Sequence, residues 1–280
     1  MARGEVEKHE IFLSGLRVRV QSCCTRTNRY LQRNWSAARV PILRPEAGFD
    51  IDVIADESPR IVVDGEVVWS DGDADDLVSG FELWLYRAAL KRHARGLSVF
   101  HAAALVSDDA TVVFSGPSGA GKSSLALAAV RRGWKYFSDE FVVTDGQHVW
   151  GWPRAIRFDP PEPGAQRPDY LVGLDTDDDD DAAASREDAR SPYYPVEGNA
   201  LQRVACPAHE VRFVHIERGP QTTLARVSTS IGLKYWTEAS FFEPTMSLGM
   251  LVGTDRTWRA SWRHPDELID LIEKHDPRQA

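Results

Sequence analysis

A chain of 280 residues, 42% of them apolar, can bury a full core and hold one large or two modest domains. Its formal charge of −9, from 42 acidic and 33 basic residues, argues against a general nucleic-acid-binding surface and leaves room only for a local basic groove. Cys23, Cys24 and Cys206 form neither a disulfide framework nor a Cys-x-x-Cys zinc pair, and with no apolar signal core and no 18-residue apolar run the expectation is a soluble, cytoplasmic protein without a membrane partner.

In chain order, Ile11–Leu13, Leu16–Gln21, Phe49–Ile54 and Ile61–Val63 read as short strands, with Asp64-Gly65 and Asp71-Gly72 as turns. Residues 80–95 carry Phe81, Leu83, Trp84, Leu85, Ala88, Ala89 and Leu90 and read as a packed helix. A boundary is expected near Arg95-Gly96. Residues 1–95 would then be a small, mostly β module carrying one helix.

Residues 96–280 would form the second domain. Residues 97–106 read as a strand, Asp108-Asp109 as a turn, and residues 110–115 as a short buried strand. Then comes Gly116-Pro117-Ser118-Gly119-Ala120-Gly121-Lys122-Ser123, which fits the P-loop pattern G-x-x-x-x-G-K-[ST] at every fixed position. Ser124 to Arg132 reads as the helix that follows. Strand, glycine turn and helix suit phosphate: backbone N–H groups curl around it and the helix N-terminus adds partial positive charge. Lys122 would reach the β and γ phosphates of ATP, and Ser123 would ligate Mg²⁺. After Gly133, residues 134–144 read as strand, acidic pair and strand; Asp145-Gly146 turns the chain, and residues 148–152 continue the sheet.

Residues from about 160 to 195 include Asp175-Thr-Asp-Asp-Asp-Asp-Asp181 and too few apolar anchors to order themselves, so a flexible acidic loop is expected there. Residues 211–217 read as a strand, residues 236–249 as partly helical, and residues 265–275 as a helix with Leu268, Ile269, Leu271 and Ile272 on its apolar face.

A phosphate turn of this kind needs an acidic partner on a neighbouring strand, and Asp139 and Glu140 are the candidates. Adjacent strand residues point to opposite faces, so the two serve together only at a strand end or bend. There one holds metal and the other takes the proton from an attacking hydroxyl. His101, Arg154 and Arg157 are candidates to line the transfer site. His209, His215 and His264 show no metal-ligand spacing and read as structural.

His101-Ala-Ala-Ala, the run from Phe114 to Ser124, and Arg132-Gly-Trp-Lys-Tyr-Phe-Ser-Asp139-Glu140 together resemble the catalytic domain of HPr kinase/phosphorylase, and more closely its shorter, divergent relatives, in which a motif like Pro153-Arg154 follows. The resemblance covers roughly residues 97–158. It implies an α/β P-loop kinase domain of the HPr kinase and phosphoenolpyruvate carboxykinase-like type, and ATP- and Mg²⁺-dependent phosphoryl transfer to a hydroxyl. Residues 116–124 would bind nucleotide, Ser123 and Glu140 would attend the metal, Asp139 would be the general base, and His101, Lys122 and Arg154 would complete the catalytic set. Ala102 stands where the family usually has glycine, and Ser124 where the full-length enzymes often have glutamate.

The acceptor implied is a hydroxyl-bearing peptide, protein or small molecule, with no nucleic acid; self-association stays open. The alternatives are a non-catalytic or ATPase-type nucleotide-binding partner in a biosynthetic pathway, and a nucleoside monophosphate kinase.

Overall fold

The computed structural model describes residues 5–41, 47–70, 72–73, 76–93, 97–107, 110–158, 169–171, 174, 193–241 and 256–275. The chain divides into two compact units, one of Met1–Arg92 with Arg157–Pro195 and the other of His93–Ile156 with Val196–Ala280.

In the first unit, β1 (Glu7–Leu13) and β2 (Leu16–Ser22) form an antiparallel hairpin. Its turn needs positive φ at both central residues, met by Ser14 at 47° and Gly15 at 85°. Every second residue of β2 is buried, so one face of the sheet meets a core. After α1 (Thr25–Asn34), β3 (Ala47–Ile54) lies parallel to β2, and β4 (Arg60–Val63) and β5 (Glu66–Ser70) complete the order β1-β2-β3-β4-β5. The long helix α2 (Leu77–His93) meets α1 through an edge-on Tyr30–Phe81 contact at 6.5 Å.

The second unit is built on a larger mixed sheet. Its elements are β6 (Ser98–Val106), β7 (Thr111–Ser115), α3 (Lys122–Arg131), β8 (Lys135–Ser138), β9 (Phe141–Thr144) and β10 (His148–Gly151). The short strands β11 (Ile156–Arg157) and β12 (Tyr193–Tyr194) pair with each other apart from this sheet, and Arg157 and β12 belong to the first unit; β13 (Cys206–Pro207) then rejoins the large sheet. Then come β14 (Val211–Arg218), β15 (Thr223–Arg226), α4 (Thr229–Ala239), β16 (Thr257–Trp262) and α5 (Pro265–Lys274). The sheet order is β13-β10-β9-β6-β7-β14-β16-β15, with β8 also pairing β6. β7, β14 and β16 run parallel, whereas β6 is antiparallel to β7, β8 and β9. Every residue of β7 is buried, as expected of a central strand. α3 packs on β6 and α5, and Trp134 ties its end to α5 by donating Nε1–H to Glu273 at 3.0 Å.

The fold class is therefore α/β with mixed sheets, and two expectations are corrected. The N-terminal unit is not mostly β, because helices of 10 and 17 residues stand beside its five strands. α1 was invisible because Thr-Arg-Thr-Asn-Arg-Tyr-Leu-Gln-Arg-Asn offers only Tyr30 and Leu31 as apolar residues, too few to mark a helical stripe. The narrower class, a P-loop kinase domain of the HPr kinase and phosphoenolpyruvate carboxykinase-like type, does not stand. The resemblance behind it rests on short segments between residues 97 and 158, and a fold class is a matter of strand order, which depends on pairing with residues as distant as 257–262.

Most of the acidic segment at about 160–195, the Asp108-Asp109 turn and residues 242–249 of the expected 236–249 helix lie outside the described residues; the helix there, α4, ends at Ala239. Among the described residues no helix is long and apolar enough to cross a membrane.

Candidate functional site

The chain leaves β7 at Ser115 and enters α3 at Lys122 through residues 116–121. Glycine is required twice on this path. Gly121, the N-cap of α3, has φ +92°, and a Cβ there would lie 2.2 Å from Trp262 Cζ2. A Cβ on Gly116 would lie 2.5 Å from the Ile216 carbonyl oxygen. Trp262 Nε1–H donates to the Ala120 carbonyl at 3.1 Å, so the indole both crowds and braces the turn. Pro117, Ser118 and Gly119 are exposed, whereas Lys122 and Ser124 are buried. The Lys122 ammonium folds back to donate to the Gly116 carbonyl at 3.0 Å and, more weakly, to that of Pro117 at 3.4 Å. Burial lowers the Lys122 pKa from its ordinary value, while the Glu140 and Asp139 carboxylates oppose that shift.

β8 and β9 run along the same edge of β6, with Asp139 and Glu140 in the break between them. His101 pairs with Phe141 and Ala104 with Ser138, so the acidic pair lies opposite Ala102 and Ala103. The break is stabilised by Ser138, whose hydroxyl accepts from the N–H groups of Glu140 at 3.2 Å and Phe141 at 3.1 Å. This is the bend that lets neighbouring carboxylates share one site.

Their surroundings differ. Asp139 is only 1% exposed. Its Oδ2 accepts from the Ser123 hydroxyl at 2.8 Å, and its Oδ1 from the Tyr136 hydroxyl at 2.8 Å. Arg154 Nε lies 3.7 Å from Oδ1. The Tyr136 ring is fully buried, and burial together with the Asp139 charge pushes its phenol pKa well above the ordinary value, so it stays a donor. Glu140 is half-buried; Arg154 Nη2 donates to its Oε2 at 2.9 Å, and His101 Nε2 lies 3.7 Å from its Oε1.

His101 is held neutral at pH 7. Its pKa falls to about 4, chiefly through desolvation and then through the Lys122 charge, with Asp139 opposing and Arg154 adding to the shift. Aromatic rings flank it: Phe241 at 6.2 Å from His101, Phe141 at 5.2 Å from Phe241, and Trp152 at 4.4 Å from Phe141. Phe241 reaches this place because its N–H donates to the Val99 carbonyl at 3.0 Å.

The structure thus brings Lys122, Ser123, Asp139, Glu140, His101 and Arg154 together beside the turn of residues 116–121. Arg157 is not among them. It pairs with Glu82 at 3.2 Å within the first unit, where Glu82 also accepts from the hydroxyls of Tyr30 at 2.5 Å and Tyr86 at 2.7 Å. His264 caps α5 by accepting from the Asp266 N–H at 3.3 Å. His215 lies 3.3 Å from the Ser115 hydroxyl and stacks on Tyr235 at 3.8 Å. Sequence reasoning missed Tyr136, Ser138, Arg218 and Trp262. Tyr136 and Ser138, three residues and one residue before Asp139, were in plain view, but Arg218 and Trp262 come from strands remote in sequence.

Two oxygen donors, from Ser123 and Asp139, stand together at the helix start. That donor set fits Mg²⁺, which binds hard oxygens and completes its shell with water and phosphate. Among the described residues no group of three or more His, Cys, Asp and Glu forms a metal cage.

No protein-family model matches the chain, and no curated protein matches it. The terms kinase, ATP-binding, P-loop and HPr-kinase-like, drawn from the resemblance, are therefore withdrawn as descriptions of the chain. A shared local motif over part of one unit does not carry a family assignment.

Proposed function

We propose that the second unit transfers the terminal phosphoryl group of a nucleoside triphosphate to a hydroxyl, on a peptide or a small molecule, in the cytoplasm. The observation that carries this reading is the 2.8 Å hydrogen bond from the Ser123 hydroxyl to Asp139. It joins the N-terminus of α3, a place that favours phosphate, to a carboxylate pair with the Arg154 cation and the neutral His101 imidazole beside it.

Backbone N–H groups of Ser118, Gly119 and Gly121 and of the start of α3 hold the phosphate chain, Pro117 having none and that of Ala120 donating to the Pro117 carbonyl, and Lys122 exchanges its carbonyl partners for phosphate oxygens. Ser123 and Asp139 would hold Mg²⁺, which would supply neutralisation of phosphate charge when bound. Glu140, less buried than Asp139, takes the proton of the acceptor hydroxyl as the acceptor oxygen bonds to phosphorus and the bond from phosphorus to the diphosphate oxygen breaks. Arg154 orients Glu140 and offsets charge at the transfer point. This division assigns the base to Glu140 and the metal to Asp139, opposite to the roles implied by the resemblance. Its ground is that Asp139 is 1% exposed and bonded to the Ser123 hydroxyl beside the start of α3, whereas Glu140 is only half-buried and open to an acceptor.

Acceptor-dependent conversion of ATP to ADP, followed by mass spectrometry of peptide and metabolite pools, tests the reading. Glu140→Gln should cut turnover by about 10²–10⁴ at an unchanged Mg²⁺ requirement, and Asp139→Asn should raise that requirement. Turnover that survives Lys122→Ala at the parent rate refutes the site. Hydrolysis to free phosphate whatever acceptor is supplied favours a nucleotide-gated partner.

A further inference from the structure

The site above accounts for one side of the turn of residues 116–121. β7, which feeds the turn, has two neighbours in the sheet. On the β6 side stand Asp139, Glu140, His101 and Arg154. On the other side β14 and β16 run parallel to β7, so their C-terminal ends open at the same edge of the sheet as the turn. Ligands of open α/β sheets bind at that edge.

Arg218 ends β14 and Trp262 ends β16, paired across the ladder. The Arg218 guanidinium lies over the indole, 3.5 Å from the ring centroid. Its Nη2 is 3.2 Å from the position of a Cβ on Gly121. An exposed arginine is thus held flat against the last glycine of the turn, on the side away from the acidic pair. The residues that follow Arg218 and Trp262 where the chain leaves both strands, Pro220–Thr222 and Arg263, line an open cleft of about 400 Å³ with one face of α5. Gln221, Thr222, Arg263, Glu267 and Lys274 line it. Thr222 and Glu267 are already set by a hydrogen bond between them, and Arg263 donates to Glu267 at 2.5 Å.

We infer that this cleft receives the nucleoside end of the donor, with Arg218 bridging to the phosphate nearest the ribose. The inference rests on the phosphoryl-transfer reading. A nucleoside triphosphate is a linear ligand with two unlike ends. If its terminal phosphate faces Asp139 and Glu140, its ribose and base leave the turn on the β14 side. The volume suits a nucleoside, and the lining offers donors and acceptors for ribose hydroxyls and base edges.

The test compares ATP with inorganic tripolyphosphate, each with excess Mg²⁺, titrated calorimetrically into the full-length protein and into Gln221→Trp and Lys274→Trp, two replacements that fill the cleft from opposite walls. Circular dichroism checks each fold, and either variant suffices if the other does not fold. ATP affinity should fall by about tenfold or more while tripolyphosphate affinity changes by less than about twofold. ATP affinity equal to the parent's overturns the nucleoside assignment and leaves the phosphate reading standing. Equal weakening of both ligands overturns the assignment as well. A parent protein that binds neither ligand overturns the phosphoryl-transfer reading, and this inference with it.

Discussion

Tyr136→Phe removes one oxygen from the interior of the second unit and nothing else. The ring is fully buried and stays in place, so there is little cavity term. What is lost is the 2.8 Å hydrogen bond to Oδ1 of Asp139. Asp139 is 1% exposed, so bulk water cannot supply a replacement donor, and Arg154 Nε at 3.7 Å is beyond hydrogen-bond reach. A hydrogen bond to a charged group contributes about 1.5–3 kcal/mol, and the cost should fall near 2 kcal/mol within that range. Ser123→Ala removes the equally short bond to Oδ2, but Ser123 is only half-buried and solvent can take its place, so about 1 kcal/mol is expected. Denaturant unfolding followed by tryptophan fluorescence and circular dichroism measures both as midpoint shifts. A cost below about 0.5 kcal/mol for Tyr136→Phe, or a larger cost for Ser123→Ala, would refute the view that Asp139 is held chiefly from its buried side.

Two further outcomes follow from the same geometry. Gly121→Ala should cost about 2–4 kcal/mol, from the left-handed backbone and the displacement of Trp262 from the Ala120 carbonyl. Gly119→Ala, with φ +76° and nothing within 4 Å, should cost only about 1–2 kcal/mol. Equal costs in thermal or chemical unfolding would show that the indole yields freely. For His101, the folded pKa of about 4 lies below the ordinary 6.5, so between those values the unfolded chain binds a proton that the folded one does not. Stability should therefore rise with pH across that window and level off above it. The full shift corresponds to about 3.4 kcal/mol, which screening at a side chain 37% exposed reduces to about 1–2 kcal/mol. Unfolding at pH 4.5 and 7 should show a smaller pH effect in His101→Gln than in the parent, and identical slopes would contradict the assignment.

Local pattern alone determined much of the second unit. A β-branched run, three glycines with a proline, and an alanine- and leucine-rich stretch place a strand, a turn and a helix between residues 110 and 132, because each element depends on its own dihedral preferences and nearest neighbours. The placing of Asp139 and Glu140 at a bend is likewise local, since Ser138 supplies the acceptor that ends the strand. Tertiary structure decided what that pattern could not reach. β8 and β9 share one edge of β6, which brings His101 to Glu140 across 39 positions of sequence. Arg154 and Arg157 look alike in sequence, yet one joins the acidic pair and the other pairs with Glu82, 75 residues away. α1 carries too weak an apolar stripe to be seen before its partners are in place. Arg218 and Trp262 become neighbours only through the parallel pairing of β14 and β16. Contacts of this range are selected by burial and ladder formation over the whole sheet, and no window of sequence contains both partners.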